Sequence, residues 1–181
     1  MMKNSEFKIF TLIISLFVTF GLLLGSYNLY NEYMVEKPLT KELAVMDTVK
    51  CAEITKVDKV YLIQLQLEPV DNIQDSYNEI EAKIINSRIK NDNYRIEIQD
   101  TGSKELNHFY NDLQPVLYQG ISGQQYLWLD EQIQNRSSVK GIESRLYVDE
   151  KRVYLQLEDA DSYLYKTFDI AQTPTNGGGG S

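Results

Sequence analysis

The chain has 181 residues, with 26 acidic against 18 basic side chains and a formal net charge of -8. A surface of that sign repels a phosphate backbone, which argues against nucleic acid as a partner. One cysteine, Cys51, leaves no intramolecular disulfide, and one histidine, His108, supplies neither a zinc ligand cluster nor a choice of general base.

The first element is the uncharged apolar run from Ile9 to Gly25, preceded by Lys3 and Lys8 and followed by Tyr27, Tyr30 and Tyr33. At about 1.5 Å per helical residue, Ile9 to Tyr30 spans roughly 33 Å, enough for a hydrocarbon core of about 30 Å. The run predicts a transmembrane helix over 9–30, with Ile9, Leu12, Phe17 and Leu22 in hydrocarbon and Tyr27 and Tyr30 at the interface. It is longer than a signal-peptide core, and no small-x-small cleavage pattern follows it. Lys3 and Lys8 place the tail 1–8 in the cytoplasm, so a single-pass cell-membrane protein with an extracytoplasmic domain is expected.

Residues 31–47 read as a stalk helix re-aimed at Pro38, with Leu39, Leu43 and Met46 on one side. Thr48–Lys56 and Lys59–Glu68 are strand candidates around a turn at Asp58. In the second, Tyr61, Ile63, Leu65 and Leu67 alternate with polar residues. Asp71 with Gln74 suggests a capping box for a helix carrying Ile73, Tyr77, Ile80 and Ile84. Tyr94, Ile96 and Ile98 mark another strand, which ends at Asp100-Thr101-Gly102.

From Ser103, a cap, a helix bearing Leu106, Phe109, Tyr110, Leu113 and Leu117 is expected, with Pro115 near its end. A second helix carries Tyr126, Leu127, Leu129 and Ile133. Period-two patterning returns over 145–149, 152–158 and 162–170, with hairpin turns between. Gly177 to Ser181 reads as an engineered linker. The expected fold is α+β: a transmembrane helix, then one mixed, mainly antiparallel sheet packed with helices over 48–170, and a tail from 171. The segments 57–68 and 148–158 resemble each other as turn plus amphipathic strand. They suggest two lobes, or simply the convergence of strands with one wet face.

Chemistry-bearing motifs are sparse. His108, between Asn107 and Phe109 on an amphipathic helix, has no organised nucleophile beside it, and Gly120-Ile121-Ser122-Gly123 lacks the lysine of a phosphate loop. Glu158, Asp159 and Asp161 lie close together but without EF-hand spacing, and read as a solvated hairpin tip. The sequence therefore predicts no catalytic residue, cofactor or metal. Tyrosine is abundant, at 13 residues, and amphipathic aromatics dominate interface hot spots. Trp128, Tyr154, Tyr163 and Tyr165 are the candidate interface; alternation puts Tyr154 opposite Val153, Leu155 and Leu157, toward an outer face.

The anchor, Lys37-Pro38-Leu39, Pro69-Val70-Asp71-Asn72-Ile73, Val153-Tyr154-Leu155-Gln156-Leu157 and Tyr163-Leu164-Tyr165 together resemble small single-pass membrane proteins of Gram-positive bacteria, over most of 37–170. Such proteins are, the resemblance implies, sometimes encoded near AAA+ ATPases; no catalytic residues carry over. The expected function is non-enzymatic: a subunit, adaptor or sensor that binds another envelope protein, an AAA+ ATPase among the partners implied, with the lipid bilayer as its anchor. A small-ligand sensor and a membrane-tethered hydrolase are the alternatives.

Overall fold

The computed structural model describes residues 12–22, 32–87, 89, 93–99 and 101–170. Among them no helix is long and apolar enough to cross a membrane. Residues 12–22 are helical, α1, with Leu12, Phe17 and Leu22 exposed. The lack of a spanning helix among the described residues overturns the expected membrane-spanning helix, and with it the single-pass placement of the domain. Ile9, Tyr27 and Tyr30, like the glycine-rich terminus, lie outside the described residues.

A π-helical turn, Glu32–Glu36, leads directly into α2 (Lys37–Ala44), with Pro38 in the first turn, where a missing N–H costs nothing. Val35, Leu39, Leu43 and Met46 repeat at helical spacing and are all buried. The expected stalk is thus part of the core. The hairpin β1 (Val49–Val57) and β2 (Val60–Leu67) follows, turning through Asp58 at φ 57°, a left-handed conformation that aspartate tolerates. Helix α3 (Ile73–Asn86) then crosses over to β3 (Tyr94–Ile98), which pairs in parallel with β2. Asn72, rather than Asp71, caps α3, its Oδ1 accepting from the amides of Gln74 and Asp75.

Helices α4 (Lys104–Ser122) and α5 (Tyr126–Lys140) form an antiparallel pair in which Gly120 lies against Leu129. Ser103 caps α4 by accepting from the Leu106 amide. Gly141, at φ 68°, closes α5 in the left-handed conformation that glycine adopts without a steric penalty. The chain ends in a meander of β4 (Glu143–Val148), β5 (Arg152–Glu158) and β6 (Tyr163–Asp169). The two meander turns share one device. Asp149 Oδ1 accepts from the amides of Lys151 and Arg152, and Asp159 Oδ1 accepts from those of Asp161 and Ser162. The Asp159 carboxylate is therefore committed to its turn.

The result is α+β, but with two three-stranded sheets, ordered β1-β2-β3 and β4-β5-β6, where one sheet was expected. The α4–α5 pair separates β3 from β4 in the chain, and only the first sheet is mixed. The two similar segments supply β2 and β5, the central strand of each sheet. Helix α3 lies between the sheets. On one flank Ile73, Ile80 and Ile84 join Ile63, Leu65 and Leu67 in a core that also takes in Tyr154 and Tyr165. On the far side of the second sheet, Leu155, Leu157 and Leu164 pack with Leu106, Phe109, Leu113, Leu129 and Ile133 of α4 and α5. Strand β5 is consequently buried on both faces.

Candidate functional site

The face of the second sheet that carries Tyr147, Tyr154, Gln156, Tyr163 and Tyr165 is not an outer surface. It packs against α3 and the first sheet and holds the β2–α3 connection by the backbone. Tyr163 donates to the carbonyl of Leu67 at 2.8 Å, and Tyr165 accepts from the amide of Val70 at 2.9 Å. Gln156 donates to the Val70 carbonyl at 2.8 Å and accepts from the Ile73 amide at 3.1 Å, so one carboxamide serves both sides of the bend that starts α3. Arg145 and Tyr147 both donate to the Asp71 carbonyl. Ile73 N–H is one of the amides that a helix cannot satisfy within itself, and buried backbone groups without partners are costly.

Beside these contacts lies an ionic joint. Arg152 grips Glu81 of α3 with two hydrogen bonds, at 2.6 and 3.0 Å, and Asp169 of β6 with a third at 3.1 Å. Its guanidinium also stands 4.8 Å from the centre of the Tyr77 ring. Tyr94 donates to Glu81, Tyr154 donates to Asp149 at 2.8 Å, and the rings of Tyr77 and Tyr154 meet edge to face at 5.5 Å.

Electrostatics hold each of these groups in its neutral-pH form. Burial pushes the Glu81 carboxyl up, but hydrogen bonds and charge from Arg152, with the Tyr94 hydroxyl, overcome it and leave it below the usual value. Burial opposes the charge on Arg152 as well, and the Glu81 hydrogen bonds outweigh it, raising its basicity. Burial, reinforced by the hydrogen bond to Asp149, pushes the Tyr154 phenol up to about 12; burial does the same for Tyr165, also to about 12. Every shift moves away from neutrality, which suits a clamp better than a proton relay.

A pH dependence follows. A carboxyl whose folded value is lowered stabilises the fold above its unfolded value, about 4.3 for glutamate, and loses that contribution as pH falls through the folded value. Urea midpoints should therefore hold steady from pH 7 to about 5 and drop below about 4. Glu81→Gln should flatten the acid limb. An acid limb that is the same in both proteins would show that Glu81 does not carry it. The raised phenols act at the other end, stabilising below about 10 and losing their contribution as pH rises toward 12.

Of the sequence-predicted interface, Tyr154 is 0% and Tyr165 3% exposed, and Tyr163 is half-buried in the same seam. Trp128 sits apart from them on α5, partly buried against the helical core. His108 is exposed on α4, its Nε2 3.9 Å from Asp112. Cys51 is also exposed, because the register shifts by one residue between Val49 and Cys51 and turns the thiol to the outer face of β1. Among the described residues no group of three or more His, Cys, Asp or Glu side chains is placed to hold a metal ion.

A second feature was missed by sequence reasoning. A groove of about 480 Å³ runs between α4 and β6, lined by Tyr110, Leu117, Tyr118, Ile121, Phe168 and Asp169. Gly120 faces α5, and the stripe 110, 117, 121 lies about 80° round α4 from it, beside the edge of the second sheet. Tyr118 is 79% exposed at its rim. In the sequence Tyr110 and Leu117 belong to the same apolar face as Leu106, Phe109 and Leu113, and the signal that this face is wider than its core contact was Ile121, which extends it on the groove side.

No family model matches the chain, and no curated protein or solved structure matches it.

Proposed function

We propose that the chain is a non-enzymatic protein-binding module, a subunit, adaptor or sensor, which docks its partner in the groove between α4 and β6. The observation that carries this reading is a concave, aromatic-lined surface with an almost fully exposed tyrosine at its rim, on a protein whose other tyrosine-rich face is spent internally. Exposed aromatics around an apolar concavity are costly to leave in water and are enriched at interface hot spots. The groove's volume also falls within the range of small-ligand sites, about 300–1,000 Å³, which keeps a ligand sensor as the second reading.

Selection of displayed ten-residue peptides on the full chain tests the proposal. Selected peptides should be rich in apolar side chains and should bind Tyr118→Ser at least tenfold more weakly, with its melting temperature unchanged because the ring is exposed. Peptides that bind both proteins equally would remove the groove from the interface. A melting shift produced by a small metabolite and abolished in Tyr118→Ser would favour the sensor.

A further inference from the structure

We infer that the chain carries a second site, independent of the groove between α4 and β6: a cavity between α2 and the C-terminal end of α3 that takes a primary ammonium on a short apolar chain.

The cavity measures about 360 Å³, within the range of about 300–1,000 Å³ for small-ligand sites. One wall is apolar and comes from the π-turn and α2, where Met34, Val35, Pro38 and Leu39 line it. Single π-turns are frequent at functional sites, and Pro38 brings no N–H to this wall. The other wall is the end of α3, with Asn86 and Ser87.

Charge chooses the ligand. Among the described lining residues Glu42 is the charged one, and its carboxylate has no hydrogen bond or ion pair among the described residues. The basic residues of α2 are turned elsewhere. Lys37 and Lys41 line a separate cleft against β1, and the Lys37 ammonium stands 3.8 Å from the centre of the Tyr33 ring. Lys83, in the last turn of α3, does not line the cavity.

The other polar groups also suit a cation. Ser87 is spent, its hydroxyl donating to the Ile84 carbonyl and accepting from the Ile89 amide. The Asn86 carboxamide is unpaired among the described residues, so its oxygen can accept. The C-terminal end of α3, a helix of 14 residues, adds partial negative charge. An ammonium brings three donors to these acceptors while its chain lies on the apolar wall. A carboxylate would meet like charge, and the net charge of -8 on the whole chain draws cations toward it.

Hexylamine, added to the full chain as its hydrochloride and followed by backbone amide shifts, tests the site, with hexanol and hexanoate as controls of the same chain length. The amine should move the amides of Val35, Leu39, Asn86 and Ser87 saturably. Hexanol should bind about fivefold more weakly or worse, and hexanoate should leave these amides in place. Glu42→Gln, at an exposed position, should weaken the amine about fivefold and leave the alcohol and the melting temperature unchanged. An acetylated lysine amide carries the same ammonium on a peptide backbone: its binding at these amides would make the ligand a lysine side chain, and its exclusion would make it a free amine. Equal binding of amine and alcohol, or an amine affinity untouched by Glu42→Gln, overturns the cation assignment. Amine-induced shifts confined to other residues, or no shifts, overturn the site.

Discussion

Replacing Arg152 by alanine should lower the unfolding free energy by about 3–5 kcal/mol, the range for breaking a buried ion pair by removing one partner. The side chains of Glu81 and Arg152 are 9% and 14% exposed, so little water can replace the guanidinium. Glu81 would keep its hydrogen bond from Tyr94 and lose both bonds that hold it ionised. The pair is a poor source of net stability in itself, because desolvating two charges offsets most of their attraction. Glu81→Leu combined with Arg152→Met should therefore recover most of the loss. Urea denaturation of the three proteins separates the cases. A cost for Arg152→Ala below about 1 kcal/mol would mean that the joint behaves as an exposed pair.

Tyr154→Ala should be comparably damaging, at about 3–5 kcal/mol, the range for deleting a large buried ring. Tyr154 is fully buried, its ring packs on Tyr77 and its hydroxyl bonds Asp149. Tyr154→Phe isolates the hydroxyl and should cost about 1 kcal/mol. Alternation alone leads to the opposite expectation, that the alanine variant melts normally, because Tyr154 lies across the strand from Val153, Leu155 and Leu157. A near-normal melt for the alanine variant would return the tyrosine face to the surface.

That contrast shows what the residues disclose. Period two located β2 and β5 and sorted their faces correctly, and helical spacing with a polar cap located α3 and α4. Alternation says nothing about what covers the second face, so a face lined by Tyr154, Gln156 and Tyr165 reads as wet although α3 and the first sheet lie on it. The substitution of Gln156 for an apolar residue was the available clue, since a carboxamide can serve both a carbonyl and an amide. Pairing was equally hidden. β3 alternates like any strand, and nothing local reveals that it runs parallel to β2 while the next three strands form a sheet of their own. The exposure of Cys51 is hidden for a smaller reason, one extra residue in β1 that reverses sidedness. The apolar run near the N-terminus is long enough by count to span a membrane, yet among the described residues no helix is long and apolar enough to do so.

The backbone grip on the β2–α3 connection also bears on synthesis. The first sheet ends at Ile98, and the side chains that hold the connection arrive in turn with β4, β5 and β6, the last of which ends at Asp169. At about 5–20 residues per second, those 71 intervening residues take roughly 4–14 s to translate. The partners of the Leu67 carbonyl and the Val70 amide come last of all, so the connection acquires its final set of hydrogen bonds only when the end of the later half emerges.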